Sequence, residues 1–130
     1  MSVDKLIIAV PARLDSLRLP RKVLIDVAGK PMLKRVLDRC KLVKESSAVV
    51  LCTDSKEIKS LADDWGVKVL MTSNKCTSGT DRISSVVNDL LSIAWGSEYK
   101  KRDLIEHHIL QKTVILNVGI LLRRLTNILF

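Results

Sequence analysis

An α/β fold, three layers deep and built on a mostly parallel, doubly wound sheet, is what this sequence predicts. Two observations carry the prediction. Short apolar, β-branched runs recur at Leu6–Val10, Ala48–Cys52, Val67–Met71 and Thr113–Val118, and the segments between them place apolar residues at helical spacing. Continuous apolar runs mark strands covered on both faces, and strand–helix alternation implies right-handed crossovers between parallel strands.

The first run, Lys5 to Val10, reads as a buried strand. From Pro11 to Gly29 no helix or strand pattern stands out, and connections of that length are uncommon in compact domains unless they are functional. This connection carries Arg13, Arg18, Arg21 and Lys22 and leaves the strand where α/β sheets bind ligands, just beyond the carboxyl end. Clustered, forked guanidinium groups suit a polyphosphate. Neither G-x-G-x-x-G nor G-x-x-x-x-G-K-[ST] occurs, so a nucleoside triphosphate gripped by side chains is the sharper reading. Ordinary solvated loop cations are the plain alternative.

A helix is expected from Pro31 to about Val43, with Pro31 at the first helical position and Met32, Leu33, Val36, Leu37 and Cys40 inside. Thr53-Asp54-Ser55 ends the second strand and caps a helix that stops at Gly66, with Ile58, Leu61, Ala62 and Trp65 as its buried stripe. The third strand, Val67–Met71, is followed by a polar loop from Thr72 to Gly79. One helix then carries Ile83, Val86, Val87, Leu90, Leu91 and Ala94 on one face. The segment from Gly96 to Lys112 is polar. Its adjacent His107 and His108 diverge on a helix and do not chelate one ion together. From Ile120 to Phe130 the spacing is helical and apolar, which leaves a core helix, an exposed tail and a membrane-surface helix open.

Composition narrows the function classes. At 130 residues the chain supports one domain with a real core, and 47% hydrophobic with 28% charged residues excludes a disordered chain. The net charge of +8 invites a nucleic-acid reading. Residues Met1–Glu45, however, hold eleven Lys/Arg against five Asp/Glu, whereas Ser46–Gly96 hold five against six. The excess thus sits mainly in the first loop and helix, which a small anionic ligand explains equally well. Aromatic residues at 3% give little for base stacking. Cys40, Cys52 and Cys76 lack metal-ligand spacing, and their odd number fits reduced thiols in a cytoplasmic protein, with Cys40 and Cys52 in the core. No signal peptide and no apolar stretch of membrane-spanning length is expected.

Several motifs in order carry a family resemblance: Val10-Pro11-Ala12-Arg13 with Ser16, Arg18, Leu19, Pro20 and Lys22; Gly29-Lys30-Pro31-Met32; Thr53-Asp54; and Thr77-Ser78-Gly79-Thr80-Asp81-Arg82. They resemble the N-terminal part of the 3-deoxy-manno-octulosonate (Kdo) cytidylyltransferases, the CMP-Kdo synthetases. The resemblance implies a nucleotide-diphospho-sugar transferase (Rossmann-like) fold and transfer of CMP from CTP to Kdo. Pyrophosphate leaves with magnesium assistance, and the product serves lipopolysaccharide biosynthesis. It implies that Arg13 and Lys22 act catalytically on the triphosphate, helped by Arg18, with Ser16 hydrogen-bonding nearby. Pro11 and Ala12 belong to the same CTP-binding stretch. It further places Ser78, Gly79, Thr80 and Arg82 towards the nucleotide, Gly79 allowing close backbone approach. Ser78 or Thr80 as a simple helix cap, with Asp81 in the first turn, is an equal alternative.

The resemblance covers residues 1–118 and stops there. The family continues with a Q-G-D element whose Asp binds magnesium, whereas this sequence reads Gly119-Ile120-Leu121-Leu122-Arg123-Arg124 with no carboxylate through Phe130. Residues 119–130 are therefore expected to form a divergent tail, as a changed reading frame would produce, on a truncated, inactive form without metal ligands. Pairing as a homodimer or with a separately encoded C-terminal half stays open. A related enzyme such as a CMP-sialic acid synthetase and a basic nucleic-acid-binding module are the alternatives; the first reading expects no nucleic-acid partner.

Overall fold

Four parallel strands form the sheet of this protein, seen in a computed structural model that describes residues 5–14, 21–96 and 113–117. They are β1 (Lys5–Ala12), β4 (Ala48–Thr53), β5 (Lys68–Met71) and β6 (Thr113–Asn117), in the order β5-β4-β1-β6. Strand β1 pairs with β4 on one side, Ala12 opposite Thr53, and with β6 on the other, Ala9 opposite Asn117. The chain winds outward from β1 through β4 to β5 and then crosses back to β6. The switch point of the sheet therefore lies between the carboxyl ends of β1 and β6, where open α/β sheets place their ligand crevice.

Alternation along β1 creates the two cores. Ile8, Val10 and Ala12 face α1 (Met32–Cys40) and α2 (Lys56–Asp64), packing with Leu33, Leu37, Leu51, Ile58 and Ala62. Ile7 and Ala9 face the other way, against Ile83, Val86 and Leu90 of the following helical segment. A strand sandwiched in this way has no polar face to spare, which is why it reads as an unbroken apolar run. Each large aliphatic side chain fully buried there contributes about 1.5–3 kcal/mol relative to exposure. Cys40 and Cys52 are both in these cores, as expected.

Three elements differ from the sequence-based expectation. The connection after β1 is not structureless: it holds a 3-10 turn at Lys22–Leu24 and a ribbon of β2 (Asp26–Val27) and β3 (Lys30–Pro31). Two-residue strands are too short to show a period of two. The ribbon turns on Ala28 and Gly29, both at positive φ as a two-residue hairpin requires. Arg35 of α1 clamps that turn, donating from Nε to the Val27 carbonyl (2.5 Å) and from Nη2 to the Ala28 carbonyl (2.6 Å).

Pro31, expected inside the helix, instead ends β3 and stands just before Met32. α1 also stops at Cys40 rather than near Val43.

The single helix expected after Gly79 is two: α3 (Gly79–Ser85) and α4 (Val87–Trp95), separated by Val86 at φ −121°. Ser85 supplies a cause. Its Oγ donates to the Arg82 carbonyl at 2.7 Å, while the Val86 amide bonds to Ile83 instead. A hydroxyl that takes a helical carbonyl competes with the backbone ladder. The Gly96–Lys112 segment beyond Gly96, with His107 and His108, lies outside the described residues, as does the tail after Asn117.

Candidate functional site

Three chain segments that the sequence keeps far apart meet at the carboxyl end of the sheet. Strand β1 delivers Pro11 and Ala12 as buried residues and Arg13 as an exposed one at its carboxyl end. The loop after β5 delivers Ser78, Gly79 and Thr80 into the start of α3. Strand β6 delivers Asn117, whose Nδ2 donates to Thr80 Oγ1 at 3.3 Å. Ser16 and Arg18 lie outside the described residues.

Gly79 is where the first two segments touch. A Cβ on it would stand 3.0 Å from Pro11 Cγ and 3.5 Å from Pro11 Cβ. Within the chain, the close approach that Gly79 permits is to the proline ring of β1. Ser78 caps α3, its Oγ accepting from the Asp81 amide at 3.0 Å, while Asp81 Oδ2 accepts from the Thr77 amide at 3.0 Å. This reciprocal arrangement satisfies amides at the helix start and sets the loop's entry angle. The capping alternative for Ser78 is therefore realised, and the hydroxyl of Thr80 is turned to β6.

Arg82 takes a supporting position rather than that of an exposed cation. It is 3% exposed. Its Nη1 donates to Thr72 Oγ1 and to the Ser73 carbonyl (3.2 Å) and lies 3.8 Å from Asp54 Oδ1. A buried guanidinium needs these acceptors, since a charge out of water without partners is costly. Thr53, fully buried, accepts from the Ser55 amide at its hydroxyl (3.1 Å) and from the Thr72 amide at its carbonyl (2.9 Å). The Thr53-Asp54 motif thus ties β4, the loop after β5 and α3 together. The same guanidinium acts on Cys52: burial pushes this thiol up to about 12, and Arg82 opposes the rise only in part.

On the other flank, Arg21 stands close to the end of β1, its amide donating to the Leu14 carbonyl at 2.9 Å. Lys22 follows, half-buried, at the start of the 3-10 turn. Arg21 itself is paired with Glu57 in the first turn of α2: Nη1 donates to Oε1 at 3.0 Å, and Nη2 to Oε2. The pairing raises the Arg21 pKa above its usual value and holds the Glu57 carboxyl below its own. Glu57 carried no signal in the sequence, because the partners are 36 residues apart.

Among the described residues no group of three or more His, Cys, Asp or Glu side chains could hold a metal. The nearby carboxylates are engaged, Asp54 towards Arg82 and Asp81 by the Thr77 amide. No helix among these residues is long and apolar enough to cross a membrane.

Comparisons with known proteins agree with this geometry. Residues 7–94 match the family described as Cytidylyltransferase. The 3-deoxy-manno-octulosonate cytidylyltransferase of Francisella philomiragia is 47% identical over 83 residues, covering 64% of this chain and 33% of that protein. That of Saccharophagus degradans is 45% identical over 84 residues, covering 65% and 32%. The solved structure of a CMP:2-keto-3-deoxy-manno-octonic acid synthetase complexed with CTP superimposes with a TM-score of 0.63 at 39% identity, over 65% of this chain and 35% of that one. The chain thus spans about a third of the length of the relatives it matches. With residues 7–94, more than half of the chain, matched, this protein belongs to the cytidylyltransferase family.

Proposed function

We propose that this chain forms the CTP-binding part of a 3-deoxy-manno-octulosonate cytidylyltransferase. The observation that carries the reading is the contact of Gly79 with Pro11, which joins the two family motifs at the carboxyl end of β1, beside Arg13. In the reaction the anomeric C2 hydroxyl of Kdo, losing its proton, bonds to the α-phosphorus of CTP. The bond to the β-phosphate breaks, and pyrophosphate departs. Substitution of this kind is largely positioning and charge stabilisation. Arg13 and Lys22 would hold the β- and γ-phosphates and favour that departure, with Arg18 and Ser16 on the same connection. Ser78, Gly79 and Thr80 would border the nucleoside, with Arg82 shaping their loop from below.

Magnesium on the triphosphate belongs to this reading through the family alone, and no step is assigned to it. Kdo as acceptor, a role in lipopolysaccharide biosynthesis, a cytoplasmic location, and assembly with a second copy or a separate C-terminal half are parts of the same proposal. The 130 residues by themselves are expected to bind CTP.

Thermal unfolding with CTP, UTP, ATP and GTP tests the site. A ligand that binds only the folded state raises Tm by mass action. A selective rise with CTP, lost in Arg13→Ala and Lys22→Ala, supports the reading. Equal rises with all four nucleotides, or none, would overturn it.

A further inference from the structure

Arg21 is a non-glycine residue in the left-handed region, at φ 60° and ψ 25°. L-residues avoid that region because Cβ crowds the following carbonyl; among the described residues Ala28 of the β2–β3 turn is the other non-glycine at positive φ, and Gly29, Gly66 and Gly96 occupy the remaining positive-φ positions. The conformation has a clear local use. The Arg21 amide closes the base of the preceding connection on the Leu14 carbonyl (2.9 Å), and the Arg21 carbonyl accepts from the Leu24 amide (3.0 Å) to start the turn that contains Lys22. One residue thus ends a loop and sets where the chain enters the Lys22–Leu24 turn.

The side chain of the same residue is held at both prongs by Glu57. Two parallel bonds fix the plane of a guanidinium as well as its position. Their anchor is rigid: Glu57 precedes Ile58, which is wholly buried, and the Ser55 hydroxyl caps this turn by accepting from the Ile58 amide at 3.1 Å. The pair itself is solvent-exposed, with side-chain exposures of 56% and 46%, so it adds little to global stability. Its effect is local, on how often Arg21 occupies the left-handed state.

We infer that Glu57 is a positioning residue for nucleotide binding, holding Arg21 left-handed so that the Lys22 turn is formed before ligand arrives. The inference rests on the CTP-binding reading above. A site competent only a fraction of the time loses apparent affinity by that fraction.

Four forms of the full chain test it: wild type, Glu57→Ala, Arg21→Gly and the double variant. Glycine adopts the left-handed region without help, so the double variant should not need the carboxylate. In Glu57→Ala, exchange of the residue 21 and Leu24 amides should quicken about fivefold, with Tm nearly unchanged. CTP should bind about three- to tenfold more weakly. The double variant should recover both properties to within about twofold of wild type.

Tighter CTP binding by Glu57→Ala would mean that the released guanidinium itself binds phosphate, and would overturn the inference. Unchanged exchange in Glu57→Ala, or no recovery in the double variant, would overturn it as well. A wild-type chain that binds no CTP overturns the nucleotide reading instead. The exchange rates then judge the Arg21–Glu57 device separately, and unchanged rates overturn it.

Discussion

Pro11 and Gly79 touch so closely that a methyl group on the glycine would stand 3.0 Å from the proline Cγ. The two residues belong to different motifs, one closing the central strand and the other opening α3. Pro11 is buried in a strand paired on both sides, so it has little freedom to retreat. A Cβ at residue 79 would therefore require the proline ring to give by a few tenths of an ångström.

Gly79→Ala sets helix propensity against this contact. Alanine favours a helix start, but overpacking against a fixed neighbour costs about 1–3 kcal/mol. Net destabilisation in that range is expected by denaturant unfolding, together with a reduced CTP-dependent rise in Tm. A variant as stable as wild type would show that the two motifs separate easily.

Arg82→Met removes a buried cation and strands its acceptors. Asp54 and Thr72 would lose their partner, and an uncompensated polar or charged group inside a protein costs about 2–4 kcal/mol. Chemical denaturation should read a loss of that size, and Arg82→Lys, which keeps the charge but not the fork, should fall between the two. A loss under about 0.5 kcal/mol would place the arginine's role elsewhere.

Acid should loosen the structure in a defined direction. Glu57 is held below the ordinary glutamate value of 4.5 by its hydrogen bond with Arg21, and Asp38 below 3.8 by its hydrogen bond with Lys34. Carboxyls depressed in the folded state contribute stability that is present above their unfolded values and lost as pH falls through the folded ones. Tm should therefore decline as pH drops below 3.8, with Asp38→Asn flattening the decline, whereas Glu57→Gln, whose exposed pair adds little to global stability, should leave it nearly as it is. An unaltered decline in Asp38→Asn would assign the acid response to other groups.

The three cysteines should react unequally with a thiol reagent. Burial pushes the Cys52 thiol up to about 12 and raises that of Cys40, whereas Cys76 is partly exposed near Ser85. The thiolate is the reactive form, so native protein should be labelled at Cys76 alone and unfolded protein at all three. Fast native labelling of Cys52 would mean that the sheet opens near Arg82.

Much of the scaffold was legible because its signals are local. β1 and β4 show as apolar runs and β5 as a shorter one interrupted by Lys68, and α2 announces itself through Ser55 at its start and Gly66 after its end. The β2–β3 ribbon was not legible, since two-residue strands have no measurable period. Nor was the break at Val86, where one serine hydroxyl diverts a carbonyl inside an otherwise continuous apolar pattern.

The sequence by itself determined the α/β class, the two-sided burial of the central strand and the family motifs of the crevice. Strand and helix periods, caps and motif spacings all act between near neighbours in the chain, and so they can be read from it. Only the tertiary structure decided which motif residues touch one another. Arg82 is buried with Asp54 and Thr72, Gly79 packs on Pro11, Thr80 turns to Asn117, and Arg21 is engaged by Glu57. Each of these relationships joins residues from different elements. Such pairings are set by sheet order and helix packing, which no local pattern specifies.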